Sequence, residues 1–209
     1  MELSSPMDMD RARALYEQVQ FTEDADALAL AEQELDSAEA DVALARGRIL
    51  HTKFLRERVE DPREFELFTR AAELYRGLGD SRAEAEALFW VGIVHQVVRG
   101  DHDAGLPYFE RSYHLATAAG DKMIMSYAVR HLAFVARAAG RSDEARAQFE
   151  ESLRLRREIG FLPGVAAALL ALGECVGDTS MLNEAASVAR ECGATAVLGW
   201  VEQTRAAMS

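Results

Sequence analysis

The sequence predicts an all-α fold made of repeated pairs of antiparallel helices. Three stretches end alike, with glycine at positions 79, 120 and 160, so the period is 41 and then 40 residues. Between these glycines, apolar residues recur at the spacing of an amphipathic helix, and no segment alternates as a half-buried strand would. A fixed period of this length is typical of proteins built from repeated helix pairs.

Corresponding positions carry similar residues in each period. The register defines four units, at 36–79, 80–120, 121–160 and 161–194. Small residues stand where two helices approach closely, because a larger side chain would hold them apart. The matched positions are Phe68, Phe109 and Phe149; Leu74, Leu115 and Leu155; Ala71, Ser112 and Ser152; and the small residues Gly92, Ala133 and Gly173 with Gly105, Ala145 and Ala185.

Signals for helix ends divide each unit into two helices. Asp61 before Pro62 predicts an N-cap followed by a first-turn proline, and Pro163 opens a later helix. Ser142 and Ser180 are expected to cap two further helices. The glycines at 79, 120 and 160 suit the left-handed residue that terminates many helices.

Residues 1–35 are predicted to form an acidic helical arm ahead of the repeats. A short helix is expected at about 9–19 and one long helix at about 24–56. Along the long helix, apolar or small residues recur in alternating steps of three and four, which is the pattern of a coiled-coil seam. This seam must pack on the short helix or on the same helix of a second copy, so a homodimer through residues 24–49 is one of two alternatives. Its members are Leu28, Ala31, Leu35, Ala38, Val42, Ala45 and Ile49.

Residues 195–209 are predicted to form a capping helix over the last repeat. One face of this helix carries Val197, Trp200, Val201 and Thr204. A stack of repeats needs a terminal helix with one apolar face and one wet face, because its last repeat has no neighbour.

Charge and composition exclude several classes of function. The formal net charge is −12, but residues 1–41 hold 12 acids and 2 bases, so the repeats are nearly neutral. Without clustered positive charge, neither nucleic acid nor an anionic membrane is an expected partner. The N-terminus lacks the basic and apolar regions of a secretory signal. Since the two cysteines, Cys175 and Cys192, are also too few for a disulfide framework, we expect a cytoplasmic protein.

Catalytic motifs are scarce. The sequence contains no motif of a zinc protease, a serine hydrolase or a phosphate-binding loop. His51, His95 and His131 lie on the first helices of successive units, but their spacing matches no metal motif. We therefore expect no metal, no cofactor and no catalytic residues.

The repeats resemble tetratricopeptide repeats, in the longer form of about 40 residues found in bacterial regulators and kinesin-light-chain-like proteins. The residues that carry the resemblance are Leu88, Val91, Gly92, Ala104, Gly105 and Phe109; Val129, Leu132, Ala133, Ala145 and Phe149; and Leu169, Leu172, Gly173 and Ala185. The resemblance implies a right-handed superhelix of helix pairs, with a concave groove that binds peptides or partner proteins and is lined by the first helix of each pair.

Carried onto this chain, the resemblance implies a set of groove residues. Arg130 and Arg137 are seven residues apart on one helix face, so both can address one carboxylate or phosphate unless they are simply solvated surface residues. The other members are Arg48, His51, Glu86, Phe89, Ile93, Gln96, Tyr127, Phe134 and Glu174.

Three functions remain open at this point. The leading one is a non-enzymatic scaffold or adaptor that binds a segment of another protein, including a segment with acidic groups. The second is a small-molecule or peptide sensor of a regulatory system. The third is an enzyme with a His/Glu site in the helical pocket.

Overall fold

The computed structural model describes residues 9–22 and 25–208, and within these ranges all regular secondary structure is helical. A π-helical segment at Val94–Val98 continues directly from the fourth helix. The α-helices are α1 (Met9–Thr22), α2 (Ala25–Glu57), α3 (Pro62–Leu78), α4 (Ser81–Ile93), α5 (His102–Ala119), α6 (Lys122–Ala138), α7 (Ser142–Glu158), α8 (Leu162–Val176), α9 (Thr179–Glu191) and α10 (Thr195–Met208). The predicted all-α fold is confirmed.

The helices form two compact units that divide between residues 91 and 92. In the first unit, α1 and α3 both pack on α2. In the second unit, each helix from α5 to α9 packs on the next, and α10 packs on α8 and α9. Short connections between successive helices make neighbours antiparallel, as in tandem helical repeats.

Matched repeat positions are buried alike. Phe68, Phe109 and Phe149 are each fully buried. A Cβ atom placed on Gly47 would lie 2.5 Å from the Phe68 ring, and one on Gly92 would lie 2.6 Å from the Phe109 ring. Both glycines therefore permit close approach of an aromatic ring, as was expected for Gly92 at a helix crossing.

Helix ends follow the predicted signals in part. Asp61 caps α3 by accepting a hydrogen bond of 3.0 Å from the Arg63 backbone N–H, and the three predicted glycines have φ between 67° and 73°. The predicted serine caps are wrong. Ser142 is the first residue of α7, and α9 is capped by Asp178, whose side chain accepts from the Ser180 backbone N–H. Both serines lie one or two residues too late, inside the first turn, and a cap must stand just before the helix.

The N-terminal region forms the two predicted helices. Helix α2 runs without interruption for 33 residues, and α1 packs on it, with an ion pair of 3.0 Å between Arg11 and Glu34. Much of the seam nevertheless remains open to solvent: Leu28 is 47% exposed, Leu35 45% and Ile49 58%.

Helix α10 covers the end of the second unit through a narrower face than predicted. Val197 and Val201 are buried, but Trp200 is 46% exposed and so lies outside the buried face. Arg205 donates a hydrogen bond of 2.5 Å to the Asn183 side chain on α9. Among the described helices, none combines the length and the apolar character that crossing a bilayer requires.

Candidate functional site: an arginine–aromatic surface on α6 to α8

Helix α6 brings four of the predicted groove residues onto one face. Tyr127, Arg130, Phe134 and Arg137 are separated by steps of three, four and three residues, which is the spacing of one helix face. The guanidinium carbon of Arg130 lies 4.7 Å from the centre of the Phe134 ring, and that of Arg137 lies 5.3 Å from it. Both cations therefore share one aromatic ring through cation–π contacts.

The charges on this surface are unequal. Arg137 pairs at 3.2 Å with Glu174 on α8, and both side chains are about two-fifths exposed. The Nε of Arg130, by contrast, is buried and has no hydrogen-bond partner among the described residues. Burial, together with the nearby charges of Arg156 and Arg137, lowers the pKa of Arg130 to about 9. Since that value is above neutrality, Arg130 remains a cation with an unused donor.

Arg156 is a buried cation beneath this surface, and it was not among the predicted site residues. It lies in a basic run at residues 154–157, of which Arg154 and Arg157 are exposed. Arg156 instead is only 2% exposed, donates a hydrogen bond of 2.9 Å to the Gly164 carbonyl oxygen, and lies 5.3 Å from the centre of the Tyr127 ring.

The burial of Arg156 has a local reason and an electrostatic consequence. Position 156 follows Phe149 by seven residues and Ser152 by four, so it falls on the buried face of α7. That spacing is the signal that could have identified it. Burial lowers the pKa of Arg156 to about 10, so this arginine also stays charged at neutral pH.

The predicted residues of the first unit make contacts with one another. Arg48 on α2 forms an ion pair with Glu86 on α4, so the Glu86 carboxylate is neutralised by a cation. His51 is buried, with its Nδ1 2.9 Å from Glu64 Oε1 and its ring 5.3 Å from that of Trp90. Phe89 is only 4% exposed. His51 and Phe89 thus contribute to the interior, and a role for them in binding stays a prediction.

Ile93 and Gln96 are buried as well, at 3% and 6% exposed. Gln96 accepts a hydrogen bond of 2.5 Å from His131 Nδ1 and donates one of 3.1 Å to the His131 backbone oxygen. His95 lies apart from this pair, with its ring stacked on Tyr108 at 5.4 Å. In the described part of the chain, no group of three or more His, Cys, Asp or Glu side chains has the arrangement of a metal site.

A comparison with protein families decides what kind of helix pairs these are. Residues 124–192, which include the helix α6 cluster and Glu174, match the family model described as tetratricopeptide repeat. The match covers about a third of the 209 residues, and it shows what these helix pairs are similar to. The predicted resemblance is confirmed at the level of the family, while the longer form of the repeat stays a prediction. A search of curated proteins found no match for the chain.

Tetratricopeptide repeats are scaffolds for protein–protein interaction, and they act by presenting side chains on a stack of helix pairs. In this chain, the matched repeats present Arg130 and Arg137 on the Phe134 ring and the exposed carboxylate of Glu174. A third cation, Arg156 on α7, is buried beside them. The arrangement is suited to receiving a negatively charged group, because an arginine fork can donate two parallel hydrogen bonds to a carboxylate or phosphate.

Proposed function

We propose that this chain is a non-enzymatic interaction module whose tetratricopeptide repeats bind an acidic segment of another protein at the arginine–aromatic surface. We define this surface as Tyr127, Arg130, Phe134, Arg137 and Glu174, with Arg156 buried beneath it. The observation that carries the proposal is Arg130, a partly exposed arginine beside the Phe134 ring whose buried Nε has no hydrogen-bond partner among the described residues.

Local electrostatics support an acidic partner. Three arginines stand against one glutamate on this surface, although residues 42–209 together are close to neutral. The desolvation that lowers the pKa of Arg130 also means that an incoming carboxylate would meet its cation in a medium of low dielectric, where the attraction is stronger than in water.

The position of Arg130 reduces the entropic cost of binding. Its guanidinium is already held against the Phe134 ring, so few side-chain rotamers are lost when a ligand binds. An aromatic ring beside the cations also offers apolar surface to a partner side chain next to the acid. A segment that alternates acidic and apolar residues fits both features.

The same arginines could bind a small carboxylate or phosphate, which would make the chain a sensor. Competition between a peptide and small anions distinguishes this second candidate function from the first. The measurement is fluorescence anisotropy of a labelled peptide that alternates glutamate and leucine, with competition by free glutamate and by inorganic phosphate. A protein-interaction module should bind the peptide and resist both small anions. A sensor should lose the peptide to one of them at similar concentration.

Arg130→Gln is the decisive variant, and Arg154→Gln is its matched control, because Arg154 is exposed on the same unit and pairs with Glu151 and Glu158. A charge-assisted hydrogen bond contributes about 1.5–3 kcal/mol, so Arg130→Gln should weaken peptide binding by about 10-fold or more. Arg154→Gln should leave binding within about twofold. Absence of peptide binding by the wild type, or equal binding by the two variants with unchanged circular dichroism, would refute the proposal.

A further inference from the structure

One face of α2 carries large aliphatic side chains that the described part of the chain leaves about half exposed. Leu28, Leu35, Val42 and Ile49 follow one another at seven-residue intervals, so they form a single stripe. Leu28, Leu35 and Ile49 are each 45% to 58% exposed, and Val42 is partly exposed. We call these four residues the α2 stripe.

The stripe is distinct from the faces of α2 that pack inside the first unit. Most of the buried residues of α2 lie on other faces of the helix: Ala40, Ala43, Leu44, His51 and Phe54. Ala27 and Ala31 are buried as well, and Ala31 lies in the seam between Leu28 and Leu35. Leaving large aliphatic side chains in water has a cost of about 25 cal/mol for each Å² of apolar surface. A contiguous exposed stripe of this kind marks an interaction surface.

Charged residues beside the stripe are sorted by sign. In the N-terminal half of the stripe, Glu32 and Glu39 lie four residues after Leu28 and Leu35. In the C-terminal half, Arg46 and Lys53 lie four residues after Val42 and Ile49. More widely, residues 25–41 of α2 hold six acids and no base, whereas residues 42–57 hold four bases and one acid. The front half of the helix is therefore the electrostatic complement of its own back half.

We propose that a second copy of this chain covers the α2 stripe, with the two α2 helices antiparallel about a two-fold axis near Val42. This orientation places Glu32 beside Lys53 of the second copy. It also places Glu39, which pairs with Arg70 of its own chain at 2.7 Å, beside Arg46 of the second copy. A parallel pair would instead set the acids against acids and the bases against bases, which is unfavourable.

A cleft next to the back half of the stripe fits the same occupant. The cleft has a volume of about 480 Å³ and lies between α2 and α3. Arg46 and Lys53 are exposed there, and Lys53 also lies close enough to Asp61 to interact with it electrostatically. The remaining lining residues are Ile49, Leu50, Arg63, Glu66, Leu67 and Arg70. Such a basic and apolar cleft suits a helix that carries both acidic and apolar residues. Residues 25–41 of α2 form such a helix.

The first experiment measures the mass of the full chain by sedimentation velocity at several concentrations, in 50 mM and 500 mM salt. We expect a monomer–dimer equilibrium that weakens at high salt, because exposed charge pairs are screened. Glu32→Lys with Glu39→Lys should raise the dissociation constant about tenfold or more, since each change counts twice in a two-fold contact. The control, Glu110→Lys with Glu202→Lys, makes the same change of net charge at exposed sites of the second unit and should behave as wild type.

A complementary variant, Arg46→Glu with Lys53→Glu, sharpens the test. Each charge-reversed chain alone should be largely monomeric, and an equimolar mixture should restore a dimer. A wild type that is monomeric at all concentrations in low salt would overturn the proposal, and so would a control that weakens the dimer as much as the α2 variants do. If the stripe bound an unrelated acidic peptide and the chain formed no dimer, the surface would belong to a different partner. That result would also overturn the proposal.

Cysteine cross-linking tests the orientation. The variants are made in a chain that carries Cys175→Ser and Cys192→Ser, so that no native thiol competes. An antiparallel pair brings position 35 of one copy opposite position 49 of the other. Two copies of position 35 are then 14 residues apart along the axis, or about 21 Å. A mixture of the Leu35→Cys and Ile49→Cys chains should therefore form a disulfide on mild oxidation, and Leu35→Cys alone should not. The reverse pattern would show a parallel pair.

Discussion

Replacing Gly47 with alanine tests whether small residues at the helix crossings are required by packing. The new Cβ would lie 2.5 Å, 2.8 Å and 2.8 Å from three atoms of the Phe68 ring. Carbon atoms in contact prefer about 3.5–4.0 Å, so the ring would have to move by about 1 Å. Phe68 is fully buried and stacked on Trp90 at 5.4 Å, so the ring has little free space into which it can move.

The size of the effect follows from two opposing terms. Overpacking a well-filled core costs about 1–3 kcal/mol, and replacing glycine by alanine inside a helix returns about 1 kcal/mol. The net loss of unfolding free energy is therefore about 0–2 kcal/mol. Gly77→Ala is the matched control, because Gly77 also lies in a helix of the first unit and a Cβ there would meet no atom within 4 Å. The difference between the two variants should be about 1–3 kcal/mol.

Urea unfolding followed by circular dichroism at 222 nm measures both free energies. A double-mutant cycle with Phe68→Leu then isolates the contact, because the smaller side chain should relieve part of the loss caused by Gly47→Ala. If Gly47→Ala is as stable as Gly77→Ala, or if the cycle shows no coupling, the reasoning from close approach is refuted.

Three further predictions concern protonation. Burial raises the pKa of Tyr75, and so does the hydrogen bond of 2.7 Å that the Tyr75 hydroxyl donates to Asp41. The protonated hydroxyl therefore stabilises the folded state below about pH 10, and this contribution is lost as the pH rises through the folded-state pKa. Tyr75→Phe should thus cost about 1 kcal/mol in urea unfolding at pH 8, with the gap to wild type shrinking at high pH. Burial and the nearby charge of Arg99 lower the pKa of His95. The neutral imidazole therefore contributes fully to stability above about pH 6.5, and the contribution falls as the pH is lowered. A His95 imidazole resonance that titrates at or above about pH 6.5 would contradict the lowered pKa. The bonds that Asp61 accepts from Arg63 lower its pKa to about 2, so the cap contributes above about pH 4 and is lost towards pH 2; Asp61→Ala should lower the Tm at pH 6 more than at pH 2.

Helical periodicity could be predicted from the sequence because it depends on local spacing. The long helix expected at 24–56 is α2, Ala25–Glu57, and the glycines at 79, 120 and 160 adopt the left-handed conformation that was predicted for them. The π-helical segment at Val94–Val98 was not predicted, because its residues have the same apolar spacing as the helix that precedes them.

The candidate site was predicted in part. The seven-residue spacing of Arg130 and Arg137 predicted that both lie on one helix face, since spacing along a helix determines which side chains share a face. The structure places both guanidinium groups against the Phe134 ring, which was not predicted. The burial of the Arg130 Nε and the inclusion of Arg156 could not be obtained in this way. Both depend on how closely α7 and α8 approach α6, which is a property of three packed helices and not of one.

The sequence by itself determined the all-α class, the period of about 40 residues, the helix-ending glycines and the segregation of charge along α2. Each of these properties is local, because a residue's neighbours at three, four or seven positions decide it. The tertiary structure alone decided which charges are desolvated and which apolar residues stay in water. Arg156 is buried although it lies in a basic run, and Leu35 is exposed although it lies in a coiled-coil seam. Burial depends on what packs against a face, and that partner is distant in the sequence or, as we propose for α2, belongs to a second copy of the chain.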